Sequence, residues 1–193
     1  MVSNTDFKFK RQSAQKNLLM YGMFSIIMLF AGLTSAYIVS KGHLLELGKW
    51  DYIVLPNMFY YSTLMILISS LFGHFSIKFC KSDNSSMLKR FLSLTILCGL
   101  LFFTFQILGW KDLVDNGKFL SGNNVASSYL YVLTLAHFAH VVGGLIALLV
   151  ILFQSINNKY NAHNFHGLQL GIRFWHFLAG LWIYLFLFLM LIN

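Results

Sequence analysis

Two histidines three residues apart, His137 and His140, lie within an uninterrupted apolar run, in the stretch Thr134–Leu–Ala–His–Phe–Ala–His–Val–Val–Gly–Gly144. At that spacing both imidazoles share one face of a helix. A third, His176, sits in Arg173–Phe–Trp–His–Phe177 at the start of the last apolar run, beside Trp175. Imidazole is the commonest metal ligand and a proton carrier, and titratable groups at membrane depth are functional candidates by default. Haem ligation would need histidines from facing helices, with His176 or His74 opposite the pair. The competing reading is structural: ring nitrogens bonded to nearby carbonyls and hydroxyls, or held at the headgroups. His176, close to a helix end with Arg173 and Trp175, suits an interfacial anchor. His163 and His166 fall in a polar connection and are expected to be solvated.

The elements that carry these residues are membrane helices. Of 193 residues, 58% are apolar and only 10% charged, against about 25% charged in soluble domains. Five apolar runs are long enough to cross a hydrocarbon core of roughly 30 Å: residues 18–40, 57–79, 91–110, 128–153 and 172–192. Small residues at Ala31, Gly32, Ser35 and Ala36, and the Gly143–Gly144 pair, allow close helix approach. Pro56 marks the start of the second span. Ser62, Thr63, Ser69, Ser70 and His74 form a polar stripe on that span, which is expected to face protein.

Charge gives the orientation. Fourteen Lys and Arg against six Asp and Glu leave a formal +8, but the basic residues gather in loops rather than on one face, so nucleic acid is not the expected partner. The tail, the second loop and the fourth loop with Arg173 hold ten Lys and Arg and two acids; the first and third loops hold four and four. The positive-inside rule then predicts a cytoplasmic N-terminus and an external C-terminus. All six acids fall in the tail or loops, so a proton pump or ion transporter acting alone lacks its usual buried carboxylate. Cys80 and Cys98 are read as small buried side chains, and no cysteine cluster suggests a metal.

Several motifs, in chain order, resemble those of cytochrome c oxidase subunit III. The stretch Thr134–Leu–Ala–His137–Phe–Ala–His140–Val–Val–Gly–Gly144 is similar to the family's T-G-x-H-G-x-H-V-x-x-G, and Phe174–Trp–His–Phe–Leu–Ala–Gly–Leu–Trp182 to its Y/F-W-H-F-x-D-x-x-W. Weaker likenesses are Ala31–Gly–Leu–Thr–Ser–Ala–Tyr37, the stretch from Ser62 to Ser70, and Gln106–Ile–Leu–Gly–Trp110. Where the family pattern often has a carboxylate, this chain has Ile26, Ser62, Gly109 and Ala179.

The resemblance implies an all-α, polytopic subunit of a haem-copper respiratory oxidase in a bacterial inner membrane. Its helices would form a V of two bundles, the first two spans facing the other three, with phospholipid in the cleft. The chain would hold no metal and do no chemistry of its own; haem and copper would belong to a catalytic partner subunit, whose stability and proton supply it supports. His137, His140, Trp175 and His176 would be lipid or helix contacts, and Arg173 and the basic second loop candidates for lipid phosphate. A small b-type membrane cytochrome is the alternative.

Overall fold

A computed structural model describes residues 4–50, 52–120, 125–162 and 164–192, with side chains from residue 9 onward. Five helices account for nearly all of this: α1 (Asn4–Glu46), α2 (Asn57–Lys81), α3 (Ser85–Asp115), α4 (Val125–Ile156) and α5 (His166–Ile192). Each is long and apolar enough to cross a membrane. The chain is therefore an all-helical, multi-pass membrane protein.

Every helix outruns the apolar run that announced it. Hydropathy marks only the lipid-embedded part, whereas backbone hydrogen bonding continues through polar residues until a cap intervenes. The largest difference is α1, whose 43 residues span about 65 Å; the basic tail is its first turns. A shared device ends α1 to α4. Gly48, Asp83, Gly117 and Asn158 adopt positive φ, and the next residue in each case donates its N–H to a carbonyl five positions back, as Lys118 does to Leu113. This left-handed turn satisfies carbonyls that the helix end would otherwise orphan. Pro56 stands one residue before α2, and the Asn84 side chain caps α3 by accepting from the Met87 N–H at 3.1 Å.

Helices α2 to α5 form a four-helix bundle in which α2 lies along α3, α3 meets α4, α4 meets α5, and α5 closes the ring on α2. Helix α1 lies outside, against α4 and α5. Among the described residues α1 makes no helix contact with α2, so the expected division of the first two spans against the last three does not occur. The reason lies in the faces offered. The polar stripe of α2 finds its partners on α3 and α5: Gln106 donates to Ser62 at 2.9 Å, Trp182 to Thr63 at 2.9 Å and Trp175 to Ser69 at 3.0 Å. The Ser69 hydroxyl in turn donates to the Thr95 carbonyl at 2.7 Å. In lipid, where apolar surface gives helices little reason to prefer one another, such bonds and close packing choose the neighbours.

Candidate functional site

Three places in the bundle bear on function: the interior around His137, the seam of α2 and α5 around His176, and a cleft beside α1.

His137 points into the bundle and is 1% exposed. Its ring lies 5.3 Å from Trp182, 6.2 Å from Phe102 and 6.4 Å from Phe30, centroid to centroid. Neither ring nitrogen has a hydrogen-bond partner. His140, one turn on, places Nδ1 2.7 Å from the Ala136 carbonyl and rests against Phe30. The pair thus joins α4 to α1, α3 and α5 through ring contacts. Close packing is supplied one turn further, where a Cβ on Gly144 would stand 2.6 Å from Leu178 and 3.3 Å from Trp175. Gly143, its neighbour, is exposed and has nothing within 4 Å of that position.

His176 does not oppose this pair. It turns to α2, where Nδ1 meets the Ser70 hydroxyl and the ring lies 6.4 Å from that of His74. The facing histidines that a haem would need are therefore not assembled around His137 and His140. Among the described residues no group of three or more His, Cys, Asp or Glu side chains is placed to hold a metal ion. Trp175 is fully buried and Arg173 is exposed on the outer side of α5.

Three of the four positions at which the resemblance leads one to expect carboxylates are closed in by neighbours, and Ile26 is not. Ser62 is buried and bonded to the Phe59 carbonyl as well as to Gln106. Gly109 has the Phe59 ring 2.5 Å from where a Cβ would be. Ala179 is buried, while Ile26 is half-buried and faces the cleft.

That cleft was not legible from the motifs. It encloses about 1000 Å³ between the first half of α1, the C-terminal end of α4 and the N-terminal end of α5. One end is polar and basic, with Arg11, Lys159 and His166; the depth is apolar, with Met23, Ile26 and Phe174. Arg173 does not line it. His166 is not a solvated loop residue: it is the first residue of α5, and its Nε2 is buried without a partner. His163 lies outside the described residues, as does Asp51. A sequence signal existed for α1, because Arg11, Gln15, Leu18, Gly22 and Ile26 fall on one helical stripe that passes without a break from the polar tail into the span.

Comparison with known proteins decides the family. The model of the family described as cytochrome c oxidase subunit III matches residues 1–192. The chain belongs to the subunit III family. Among relatives, the cytochrome c oxidase subunit 3 of Corynebacterium diphtheriae is 27% identical over 165 residues, spanning 83% of this chain and 80% of its own. The cytochrome bo(3) ubiquinol oxidase subunit 3 of Buchnera aphidicola is 27% identical over 190 residues, 97% of both chains. A probable quinol oxidase subunit 3 of Staphylococcus haemolyticus is 32% identical over 127 residues, 64% of this chain and 61% of its own. Subunit III relatives thus come from oxidases named for either electron donor, cytochrome c or quinol.

Proposed function

We propose that this subunit III is an accessory, metal-free membrane subunit of a bacterial haem-copper oxidase, bound to the catalytic subunit that carries haem and copper. The observation that carries this reading is the whole-chain family match, on a bundle in which His137 and His140 pack against rings of neighbouring helices. Its role is to stabilise the catalytic subunit and to assist proton supply. That assistance would have to come through structure, since the family carboxylate positions hold Ile26, Ser62, Gly109 and Ala179.

The chain is oriented with its N-terminus in the cytoplasm of an inner membrane. Two of the basic connections support this, because they meet at one end of the bundle. Lys89 donates to Asn158 at 3.0 Å, and the Ala162 N–H to Asp83 at 2.9 Å.

The cleft beside α1 is the seat of a structural phospholipid. Arg11 and Lys159 at its mouth suit a phosphate, with no acid among the lining residues. From Arg11 to Ile26 the wall is about 22 Å long, enough for a headgroup and much of an acyl chain. His137, His140 and Trp175 act as helix contacts, and Arg173 on the outer flank of α5 is available to a second headgroup or to a partner.

Purification of the tagged chain in mild detergent, with an absorbance spectrum and lipid mass analysis, tests the reading. Haem should come with a larger partner and be absent from the isolated subunit, and phospholipid should remain bound. Stoichiometric haem on the isolated chain would overturn it.

A further inference from the structure

The bundle leaves one face that lipid does not suit. Helix α5 touches both α1 and α2, which do not touch each other, so the outward side of α5 is the surface between them, grooved where it meets α1. Most of the outward surface is apolar: along α4 the exposed residues 132, 135, 139, 142, 143, 146, 149 and 150 are Val, Leu, Ala, Gly and Ile. The groove differs. Arg173 and His74 are exposed there, and His176 is half-buried beside them. The side chains of Arg173 and His74 make no hydrogen bond or ion pair with any described residue. His176 uses Nδ1 toward Ser70, which leaves Nε2 for anything outside. By the rise of a helix, Arg173, His176 and His74 lie about 10–15 Å in from the helix ends that carry the basic loops, at the boundary of the apolar spans on that side. Such groups normally face protein or water, not acyl chains.

Shape agrees with charge. One turn beyond His176, Gly180 is exposed and nothing lies within 4 Å of where its Cβ would be. The groove between α1 and α5 at this level encloses about 510 Å³, with Ile27 and Ala31 on the α1 side and Gly180 and Tyr184 on α5. Its α1 side is rigidly seated, since Thr34 and Tyr184 share a 3.1 Å hydrogen bond. A backbone can come close here, as it does where small residues meet between membrane helices.

We propose that this groove receives one membrane-spanning helix of a partner oxidase subunit, and that this helix carries a carboxylate level with His74, Arg173 and His176. The inference rests on the subunit reading above. The carboxylate follows from complementarity. The groove offers donors and a fixed positive charge, and its framing helices hold no acid between residues 7 and 45 of α1 or anywhere in α2 and α5. A partner helix laid over Arg173 would shut its guanidinium off from water and headgroups, which is costly unless the charge is paired, and a carboxylate on that helix supplies the pair.

The test uses the assembled complex purified through a tag on this chain, read as haem recovered per tagged subunit in graded detergent. Gly180→Leu fills open space and leaves the fold intact, and should lower recovery about tenfold or more. Ile146→Phe, on the apolar α4 face, should leave it unchanged. His74→Gln should weaken recovery and His74→Glu should weaken it much further, by repelling the carboxylate. A photocrosslinking residue at position 180 should capture a subunit. If wild type recovers no haem protein, the subunit reading itself fails and the proposal with it. If wild type recovers haem and Gly180→Leu does so equally, or position 180 captures only lipid, the groove is not the docking site and the subunit reading stands. Equal effects of His74→Gln and His74→Glu would overturn the carboxylate.

Discussion

At the scale of single residues, the histidines illustrate how little identity says without surroundings. His137 has no polar partner and is held by rings, so its ring is used as a flat, polarisable filler. We expect His137→Phe to be tolerated, changing thermal stability of the complex by less than about 1.5 kcal/mol, whereas His137→Ala should cost about 3 kcal/mol or more through the cavity it opens. A melt of the purified complex followed by intrinsic fluorescence separates the two. Trp175 is the contrasting case, because its indole N–H reaches Ser69 and its ring fills the space left by Gly99, 3.0 Å from a Cβ there. Trp175→Phe keeps part of the ring and should lose about 0.6–1.7 kcal/mol for the membrane hydrogen bond, plus the cost of the missing ring. Gly109 argues the same way about the absent acids. Gly109→Glu, which supplies the carboxylate expected from the resemblance, should misassemble because its Cβ would enter the Phe59 ring; pairing it with Phe59→Ala should recover assembly in the same haem-recovery assay.

At the scale of elements, helix ends were the part that hydropathy misjudged. The C-terminal turns of α1 and α3 depend on Gly48 and Gly117 at positive φ, where an L side chain is strained. Gly117→Ala should therefore destabilise by about 1 kcal/mol, read as a lower midpoint in the same melt. The fourth loop is held against its neighbours by Tyr160, whose hydroxyl donates to Gln154 at 2.6 Å. Burial, with Cys80 nearby, pushes the Tyr160 phenol above its ordinary value. The folded chain thus favours the neutral phenol: its contribution is complete below pH about 10 and is lost as pH rises through the raised value. Tyr160→Phe should remove that alkaline component from a stability–pH profile and lower the neutral plateau by about 1 kcal/mol for the lost hydrogen bond to Gln154.

At the scale of the whole molecule, two openings flank α1, a basic-mouthed cleft against α4 and α5 and a groove against the outward side of α5. Both exist because α1 sits on the rim of a closed four-helix bundle rather than within it. For the first, Arg11→Glu together with Lys159→Glu should reduce bound anionic phospholipid severalfold by mass analysis, because like charge at the mouth repels phosphate. Retention unchanged by this pair would place the lipid elsewhere.

The sequence by itself determined the class of molecule. A scarcity of charge, five long apolar runs and the motifs around His137 and Trp175 suffice for an all-helical membrane chain of the subunit III type. These are local or compositional signals, legible because lipid demands continuous apolar helices. It also marked the Ser62-to-His74 stripe as protein-facing, and that stripe does meet α3 and α5 except at His74. What only the tertiary structure decided is which faces meet. Nothing along the chain states that α1 avoids α2, that His176 turns to Ser70 rather than to His137, or that His166 closes a cleft with Arg11. Those depend on rotation of each helix about its axis, set jointly by a few interhelical hydrogen bonds and by where glycines let rings such as Phe59 and Trp175 come close.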